Sequence, residues 1–368
     1  MTNTTKIIIG IIVLVLIGWG ISSYKKQPQA NSESIKIGAI LPLSGDLADI
    51  GQEINRGALI AVDELQSQGI KVDYISEDDQ FDFKKTASAA QKLTTIDKVD
   101  AVFTAIGEQA EPIAKIFNAA KVPLLVAWDS NNNLKKLGDY IFSTGFSSEG
   151  SGEKMADFAR EKLGLSKVAL VSHVDAVADI IVDAFVKKFS NFGGTVISKD
   201  RVSADTTDYR SVITKIKNEK ADGVYTIFLP PANGLFAIQS KQLGLSVTIM
   251  AADAIQDSEI SQAGSAIEGW YMHYMYTESP DKLTKLYEQK FGQGPASIVY
   301  ASFGYDSVVV LAEAGKISKE KNIEIAEALR LVNTDKTSTP VNMNNSNFSE
   351  RIEKIFKVEN GKRVLIEK

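Results

Sequence analysis

The alternation of apolar and polar positions divides the chain after residue 34 into short strands and amphipathic helices. The segment Ile35–Leu41 alternates and then becomes wholly apolar, as a strand buried in a sheet does. Pro42 and Gly45 end this strand, and the segment Gly57–Leu65 then repeats apolar residues at helical spacing. The loop between strand and helix is therefore expected at the carboxyl end of the strand, which is where open α/β sheets bind ligands.

This strand and helix unit recurs in two passes. The first pass has predicted strands at Ile35–Leu41, Val72–Ser76, Ala101–Ala105, Leu124–Ala127 and Tyr140–Ser143, and helices at Gly57–Leu65, Lys84–Leu93 and Glu111–Ala120. The second has strands at Val168–Ser172, Thr195–Ser198, Val224–Phe228, Thr248–Ala251 and Trp270–Met275, and helices at Glu153–Leu163, Asp179–Phe189, Tyr209–Lys217 and Gly234–Leu243. The alternation predicts an α/β protein with two lobes, each built on a parallel sheet with right-handed crossovers.

The remainder of the chain predicts a hinge. Three helices are predicted at Lys282–Phe291, Tyr300–Ala314 and Ile323–Val332, followed by a polar stretch and two short strands, Ile355–Val358 and Val364–Ile366, around an Asn-Gly turn. Since these helices have no sheet of their own, we expect them to pack on the first lobe. The chain would then cross between the lobes near Gly145, Tyr276 and Asn333, with residues 35–145 and 277–333 in the first lobe and 146–276 and 334–368 in the second.

The amino terminus has the pattern of a targeting segment. Lys6 precedes the apolar run Ile7–Ile21, and polar residues through Lys26 follow it. The run is shorter than the roughly 20 residues that a spanning helix prefers, yet no convincing small-x-small cleavage site follows it. Residues 1–26 are therefore either a signal peptide or an uncleaved membrane anchor, with a polar tether to residue 34. Both predict an extracytoplasmic body.

Composition excludes several classes of function. The chain has 368 residues, 44% of them apolar, and a formal net charge of −5, with no basic cluster among aromatic residues, so a nucleic-acid partner is not expected. It has no cysteine and only two histidines, which leaves few possible metal sites. No dinucleotide fingerprint, P-loop, nucleophile elbow or zinc-protease motif occurs, and we predict neither an enzyme nor a cofactor.

Several short segments, in this order and spacing, resemble one known family. They are Ile37-Gly38, Pro42-Leu43-Ser44-Gly45, Arg56-Gly57-Ala58, Val122-Pro123-Leu124-Leu125, Tyr140-Ile141-Phe142-Ser143-Thr144, Asp208-Tyr209-Arg210-Ser211-Val212-Ile213, Ala221-Asp222-Gly223-Val224-Tyr225 and Ala301-Ser302-Phe303-Gly304-Tyr305-Asp306-Ser307. The chain resembles the periplasmic substrate-binding proteins for branched-chain amino acids of ABC transporters. The resemblance implies the type I periplasmic-binding fold, two Rossmann-like lobes joined by a three-crossing hinge, and a monomer that meets an ABC permease at the membrane.

The resemblance also implies where a ligand binds. Family members hold an amino acid between the lobes, and the gripping loops correspond here to residues 105–109 and 127–131. Ser130 falls where the family has a hydroxyl for the ligand carboxylate, and Asp253 where it has an acid for the amine. Gly107 replaces an expected serine, while three expected aromatic residues correspond to Ile50, Val177 and Leu229. Ser44, which shapes the first loop, and Gln109 complete the implied site.

Four side chains near the predicted cleft have two possible roles each. With Asp253, the acids Glu108 and Asp129 would surround an ammonium group, because an unpaired ion in a dry site is costly; alternatively, they cap helices or face solvent. Trp128 would be either a cleft wall or a packing residue. His173, after a strand of the second lobe, would be either a ligand contact or a solvated histidine.

Two functions of different classes follow from these predictions. The first is capture of an amino acid or similar small amine-bearing solute for ABC-transporter uptake. The second is ligand sensing by a membrane-tethered receptor domain of the same fold. Since the sequence shows no signalling segment beside the apolar run, we favour delivery.

Overall fold

Two β-sheets form the centres of the two lobes. The strands, numbered in chain order, are β1 Ile35–Leu41, β2 Val72–Asp78, β3 Ala101–Thr104, β4 Leu124–Val126, β5 Asp129–Ser130, β6 Ile141–Ser143, β7 Phe146–Ser147, β8 Lys167–His173, β9 Thr195–Val202, β10 Gly223–Ile227, β11 Thr248–Ala251, β12 Tyr271–Met275, β13 Asn333–Thr334, β14 Val341–Asn342, β15 Glu353–Glu359 and β16 Lys362–Leu365. The first sheet has the order β2-β1-β3-β4-β6 and is parallel throughout. The second has the order β16-β15-β12-β11-β10-β8-β9, with only β15 and β16 antiparallel to their neighbours.

Helices connect the strands. They are α1 Ala48–Ser67, α2 Phe83–Gln91, α3 Gly107–Ala120, α4 Ser148–Asp157, α5 Ala176–Asn191, α6 Arg210–Glu219, α7 Ala232–Gln242, α8 Asp257–Ala263, α9 Pro280–Phe291, α10 Ile298–Lys321 and α11 Ile325–Arg330. The predicted α/β fold with two parallel sheets is confirmed. The predicted turn is also present, because Asn360 and Gly361 both have positive φ between the antiparallel strands β15 and β16.

This computed structural model describes residues 34–252, 255–277, 280–349, 351 and 353–366. The chain from Ile35 onward forms a compact unit of its own. The predicted targeting segment, residues 1–26, lies outside the described residues. Within the described ranges, no helix has the length and apolar character needed to cross a membrane.

Close helix packing completes the first lobe. Helix α10 contacts α1 so closely that a Cβ atom added to Gly57 would lie 1.8 Å from the carbonyl oxygen of Ala301. A Cβ atom on Gly304 would lie equally near Ile54, at 1.8 Å from its carbonyl oxygen. Glycine at both positions therefore lets the two helix backbones touch, and the helices after Tyr276 extend the core of the first lobe.

The chain segments between the lobes lie beside one another. The Arg351 N–H donates to the carbonyl oxygen of Gly145 at 3.1 Å, and the Thr339 hydroxyl donates to that of Tyr276 at 2.9 Å. Residues 343–349 hydrogen-bond to the first lobe, for example from the Ser143 N–H to the Asn347 carbonyl oxygen at 3.0 Å. The residue boundaries of the two lobes remain a proposal. We now place the third crossing between the lobes near Arg351 rather than near Asn333.

Candidate functional site

A cavity of about 330 Å³ lies between the two lobes. Most of the residues that line it follow a strand of one of the two sheets or begin the next helix, so the carboxyl ends of both sheets face the same space. The first lobe contributes Leu47, Phe81, Ile106, Glu108, Trp128, Asp129 and Phe146. The second contributes Val174, Asp175, Val177, Ala178, Ile181, Ala204, Ile227, Phe228, Leu229 and Ala252.

Asp129 is the most deeply buried acid of this cavity. It is 1% exposed, and one of its oxygens, Oδ1, accepts a hydrogen bond from the Gly107 N–H at 2.7 Å. The other, Oδ2, accepts one from Asn131 Nδ2 at 3.2 Å. Burial raises the pKa of Asp129 to about 6, although these two bonds oppose the rise. The carboxylate is thus held in place by neutral donors only.

Gly107 is the residue that lets Asp129 approach the start of helix α3. A Cβ atom at position 107 would lie 2.8 Å from Asp129 Oδ2, closer than side-chain atoms tolerate. The serine that the resemblance implies at this position would therefore collide with Asp129. The position of Asp129 thus leaves no room for a Cβ atom at residue 107, which accounts for the glycine.

Glu108 and Asp175 come from opposite lobes and lie near each other. Glu108 Oε1 accepts a hydrogen bond from the Ala176 N–H at 3.3 Å, which joins α3 of the first lobe to the start of α5 in the second. Asp175 caps α5 by accepting a hydrogen bond from the Ala178 N–H at 2.7 Å. Burial raises the pKa of both acids, and the charge of Asp175 raises that of Glu108 further. A nearby cation would therefore favour the ionised form of both carboxyl groups.

The remaining walls are apolar and aromatic. Trp128 lines the cavity and also packs against Tyr300 and Phe303 of helix α10, with ring centroids 5.1 and 5.8 Å apart. Both roles that the sequence left open for Trp128 are thus compatible with its position. Sequence reasoning missed Phe81 and Phe146, although each follows a predicted strand of the first sheet. Their position after a predicted strand is the sequence signal that would have identified them.

Five of the predicted site residues line this cavity: Glu108, Trp128, Asp129, Val177 and Leu229. Gly107 touches it indirectly, through its bond to Asp129.

The other predicted residues of the first lobe are held by internal contacts. The Ser44 hydroxyl donates to Asp78 Oδ2 at 2.6 Å, and Gln109 Nε2 donates to Asp79 Oδ2 at 2.7 Å. Ile50 lies in the core on helix α1 and is not among the residues that line the cavity. The Ser130 hydroxyl is buried, and it has no hydrogen-bond partner among the residues that the structure describes.

In the second lobe, His173 is buried rather than solvated. Its Nδ1 accepts a hydrogen bond from the Leu229 N–H at 3.1 Å, and its ring lies 4.9 Å from that of Phe228. Burial lowers the pKa of His173, so the imidazole is neutral near pH 7. His173 therefore positions two residues of the cavity wall from behind. Asp253 lies outside the described residues.

Charge is distributed unevenly around the cavity. Three carboxyl groups line it, while no lysine, arginine or histidine does so among the described residues. A site of this composition can accept a cation or a neutral apolar molecule. It offers an anion no partner of opposite charge.

Comparison with known proteins agrees with the fold. A sequence model of the family described as periplasmic binding protein matches residues 34–353. The Leu/Ile/Val-binding protein BraC3 of Rhizobium johnstonii is 27% identical over 338 residues, which cover 90% of this chain and 91% of that protein.

Two solved structures share the architecture. The branched-chain amino acid transporter substrate-binding protein of Streptococcus pneumoniae, in complex with isoleucine, has a TM-score of 0.79 at 23% identity and covers 90% of this chain and 97% of its own. An ABC-transporter solute-binding protein of Rhodopseudomonas palustris, in complex with p-hydroxybenzoic acid, has a TM-score of 0.81 at 22% identity, with 90% and 95% covered.

The two solved structures are a transporter substrate-binding protein and an ABC-transporter solute-binding protein, and the ligands bound to them differ in chemical class. Membership of a periplasmic family implies an extracytoplasmic location. With residues 34–353 matched by the family model and both lobes in the type I arrangement, the chain belongs to the periplasmic binding protein family.

Proposed function

We propose that this protein captures a small amine-bearing solute, an amino acid or a similar compound, between its lobes and delivers it to an ABC permease. The observation that carries the proposal is the cavity between the lobes, with carboxyl groups from both sides and apolar walls. Glu108 and Asp129 from the first lobe and Asp175 from the second would surround an ammonium group. Apolar side chains would enclose the rest of the solute.

The size of the cavity supports a small solute. Ligand pockets generally have volumes of about 300–1,000 Å³. The volume of 330 Å³ lies near the lower end of this range. It therefore suits a compound of the size of an amino acid better than a peptide or a nucleotide.

Movement of the lobes would control access to the cavity. The hydrogen bond between Glu108 and Ala176 links the lobes across the opening, and the crossing segments near Gly145, Tyr276 and Arg351 supply a hinge. A ligand that contacts both lobes favours the closed state, because it interacts with only one lobe when they separate.

Delivery requires the body to reach the outside of the membrane. The apolar run Ile7–Ile21 after Lys6 would export it, either as a cleaved signal peptide or as an anchor.

We further propose that the protein acts as a monomer. Asp253 would add a fourth carboxylate for the amine, and unchanged amine affinity in Asp253→Ala would remove it from the site.

A thermal-shift and calorimetry panel with the purified protein tests the proposal. The panel contains branched-chain amino acids, other amino acids, aliphatic and aromatic amines, and aromatic carboxylates. A true ligand at 100 times its dissociation constant stabilises the folded state by about 2.7 kcal/mol. If no compound class stabilises the protein, the solute-binding proposal is wrong. Uptake of the labelled ligand should stop in cells that lack the protein, whereas a sensor would leave uptake by an existing transporter intact.

A further inference from the structure

The first hydrogen-bond donor of helix α3 is already occupied by the protein itself. A helix amino terminus is a general binding position for anions, because its first N–H groups have no partner within the helix. Here the Gly107 N–H donates to Asp129 Oδ1 at 2.7 Å. At the same helix start, the Ile106 N–H donates to Gln109 Oε1 at 3.1 Å. A carboxylate of a bound solute would have to compete with Asp129 for Gly107.

An incoming anion would also meet three carboxyl groups without a compensating cation. Glu108, Asp129 and Asp175 all line the cavity, and the lining has no positively charged side chain among the described residues. Bringing a further carboxylate into this dry space would leave like charges close together and unpaired, which is strongly unfavourable. An ammonium group in the same place would interact favourably with each of the three acids.

We infer that the ligand is a small apolar ammonium compound without a carboxylate, an inference that rests on the proposed solute-binding function. Asp129 occupies the position at the start of helix α3 where an anion would otherwise bind. The ammonium group binds near Asp129 and Glu108. The hydrocarbon part lies against Phe81, Phe146 and Phe228, whose rings also attract a cation.

A metal ion is a poorer fit than an organic cation. The acids of the cavity do not converge as a group of three that could hold a metal ion within the described part of the chain. The cavity walls are mostly apolar, whereas hard cations require six or more oxygen ligands. An ammonium group with an attached apolar body would pair with the acids and pack against the apolar walls of the cavity.

Proton release accompanies binding in this scheme. The pKa of Asp129 is about 6 without ligand, and Glu108 and Asp175 also have raised pKa values. The groups that face Asp129 are the Gly107 N–H, the Asn131 amide and the Glu108 carboxyl, with Asp175 beyond Glu108 on the second lobe and Asp179 and Arg201 near Asp175. A bound cation favours the ionised form of the acids, so affinity should rise with pH up to about 6 to 7 and then level off.

Matched pairs of compounds test the inference by isothermal titration calorimetry. Leucine is compared with 3-methylbutylamine, and phenylalanine with phenethylamine, since each pair differs only in the carboxylate. We expect the better amine to bind at least about tenfold more tightly than its amino acid, which corresponds to about 1.4 kcal/mol. 4-Hydroxybenzoate, an anion without an amine, should not bind.

Variants of Asp129 provide the second arm. Asp129→Asn retains an oxygen for the Gly107 N–H but loses the charge, so amine affinity should fall about tenfold or more. Asp129→Ala frees the Gly107 N–H, so leucine should bind more tightly to this variant than to the unmodified protein. Glu288→Gln, at an exposed position on helix α9 that does not line the cavity, is the control and should change neither affinity.

The outcomes separate the two proposals. Tighter binding of an amino acid than of the amines overturns the inference and leaves the capture of an amine-bearing solute standing, whereas tighter binding of 4-hydroxybenzoate overturns both. Weak binding of every amine in the wider panel, with a compound that carries both an amine and a carboxylate as the ligand, overturns the inference alone. If no compound of any class binds, the proposed function itself fails.

Discussion

Asp306 in the hinge region and Asp129 in the cavity are both fully buried carboxyl groups, but their partners differ in kind. Asp306 pairs with Arg351 and accepts hydrogen bonds from the Ser338 N–H at 2.6 Å and the Ser338 hydroxyl at 2.7 Å. Asp129 accepts hydrogen bonds from the Gly107 N–H and the Asn131 amide, and neither donor carries a charge. Burial raises the pKa of both acids, yet only for Asp306 does a cation of the protein itself oppose the rise.

The difference separates an acid that holds the fold together from one that is available to a ligand. The pair of Asp306 and Arg351 connects helix α10 of the first lobe to the third crossing segment, so its charges are balanced before any ligand arrives. Asp129 keeps an unbalanced carboxyl group beside an open cavity. A buried charge without a partner is unfavourable for folding, and such sites are often functional.

The largest expected effect is the loss of the hinge ion pair. Asp306→Ala leaves Arg351, which is 7% exposed, as a buried charge without its partner. We expect the free energy of unfolding to fall by about 3–5 kcal/mol, measured by urea denaturation. Glu320→Ala, which removes an exposed ion pair with Lys316 on helix α10, is the control and should change stability little. Equal effects of the two substitutions would show that the buried pair has no special structural role.

Asp129→Asn should instead raise the free energy of unfolding. The folded-state pKa of Asp129, about 6, lies above its ordinary value of 3.8, so ionisation destabilises the folded state at neutral pH. Each unit of pKa difference corresponds to 1.36 kcal/mol, which gives a gain for the variant of up to about 3 kcal/mol at pH 7 to 8. The gain should shrink as the pH falls from about 6 towards about 4, where the carboxyl group is protonated in both states. Urea denaturation across this pH range measures it, and a difference that does not vary with pH would contradict the raised pKa.

Gly107→Ser tests the steric dependence within the cavity. The Cβ atom of the serine would lie 2.8 Å from Asp129 Oδ2, which is too close. We therefore expect the free energy of unfolding to fall by about 1–3 kcal/mol. In the double variant with Asp129→Ala the collision disappears, so the two changes should not be additive. Strict additivity in thermal and urea denaturation would show that the serine finds space elsewhere.

Much of the fold could be predicted because alternation and helical spacing are local signals. Strand β1 was predicted with its observed bounds, Ile35–Leu41, and the Asn-Gly turn near the carboxyl terminus was also correct. The start of helix α1 was wrong by nine residues, Ala48 instead of Gly57, because the polar residues before Arg56 resemble a loop. Glu53 and Arg56 are in fact held by each other and by Tyr287 of helix α9, a contact that no local pattern reveals.

The candidate site was predictable in position but not in chemistry. The resemblance placed Glu108, Trp128 and Asp129 near one cleft, in agreement with the rule that ligands bind at the carboxyl ends of strands, and all three line the observed cavity. The bond between Gly107 and Asp129 joins two loops 22 residues apart, and depends on the exact path of both. Ile50 was expected beside the ligand, but the earlier start of helix α1 places it in the core.

Glu108→Gln should have the smallest effect and bears on a third kind of acid, one that bridges the lobes. Glu108 accepts its hydrogen bond from the Ala176 N–H across the opening, and the amide oxygen of glutamine can still accept it, although without the charge. Because the group is partly exposed, we expect the ligand-free closed state to lose only about 0.5–1 kcal/mol. Small-angle X-ray scattering should then show a slightly larger radius of gyration without ligand, whereas Glu111→Gln should match the unmodified protein. An unchanged radius for Glu108→Gln would mean that closure depends on the ligand and the hinge alone, and that the carboxyl group of Glu108 is as available to a bound cation as that of Asp129.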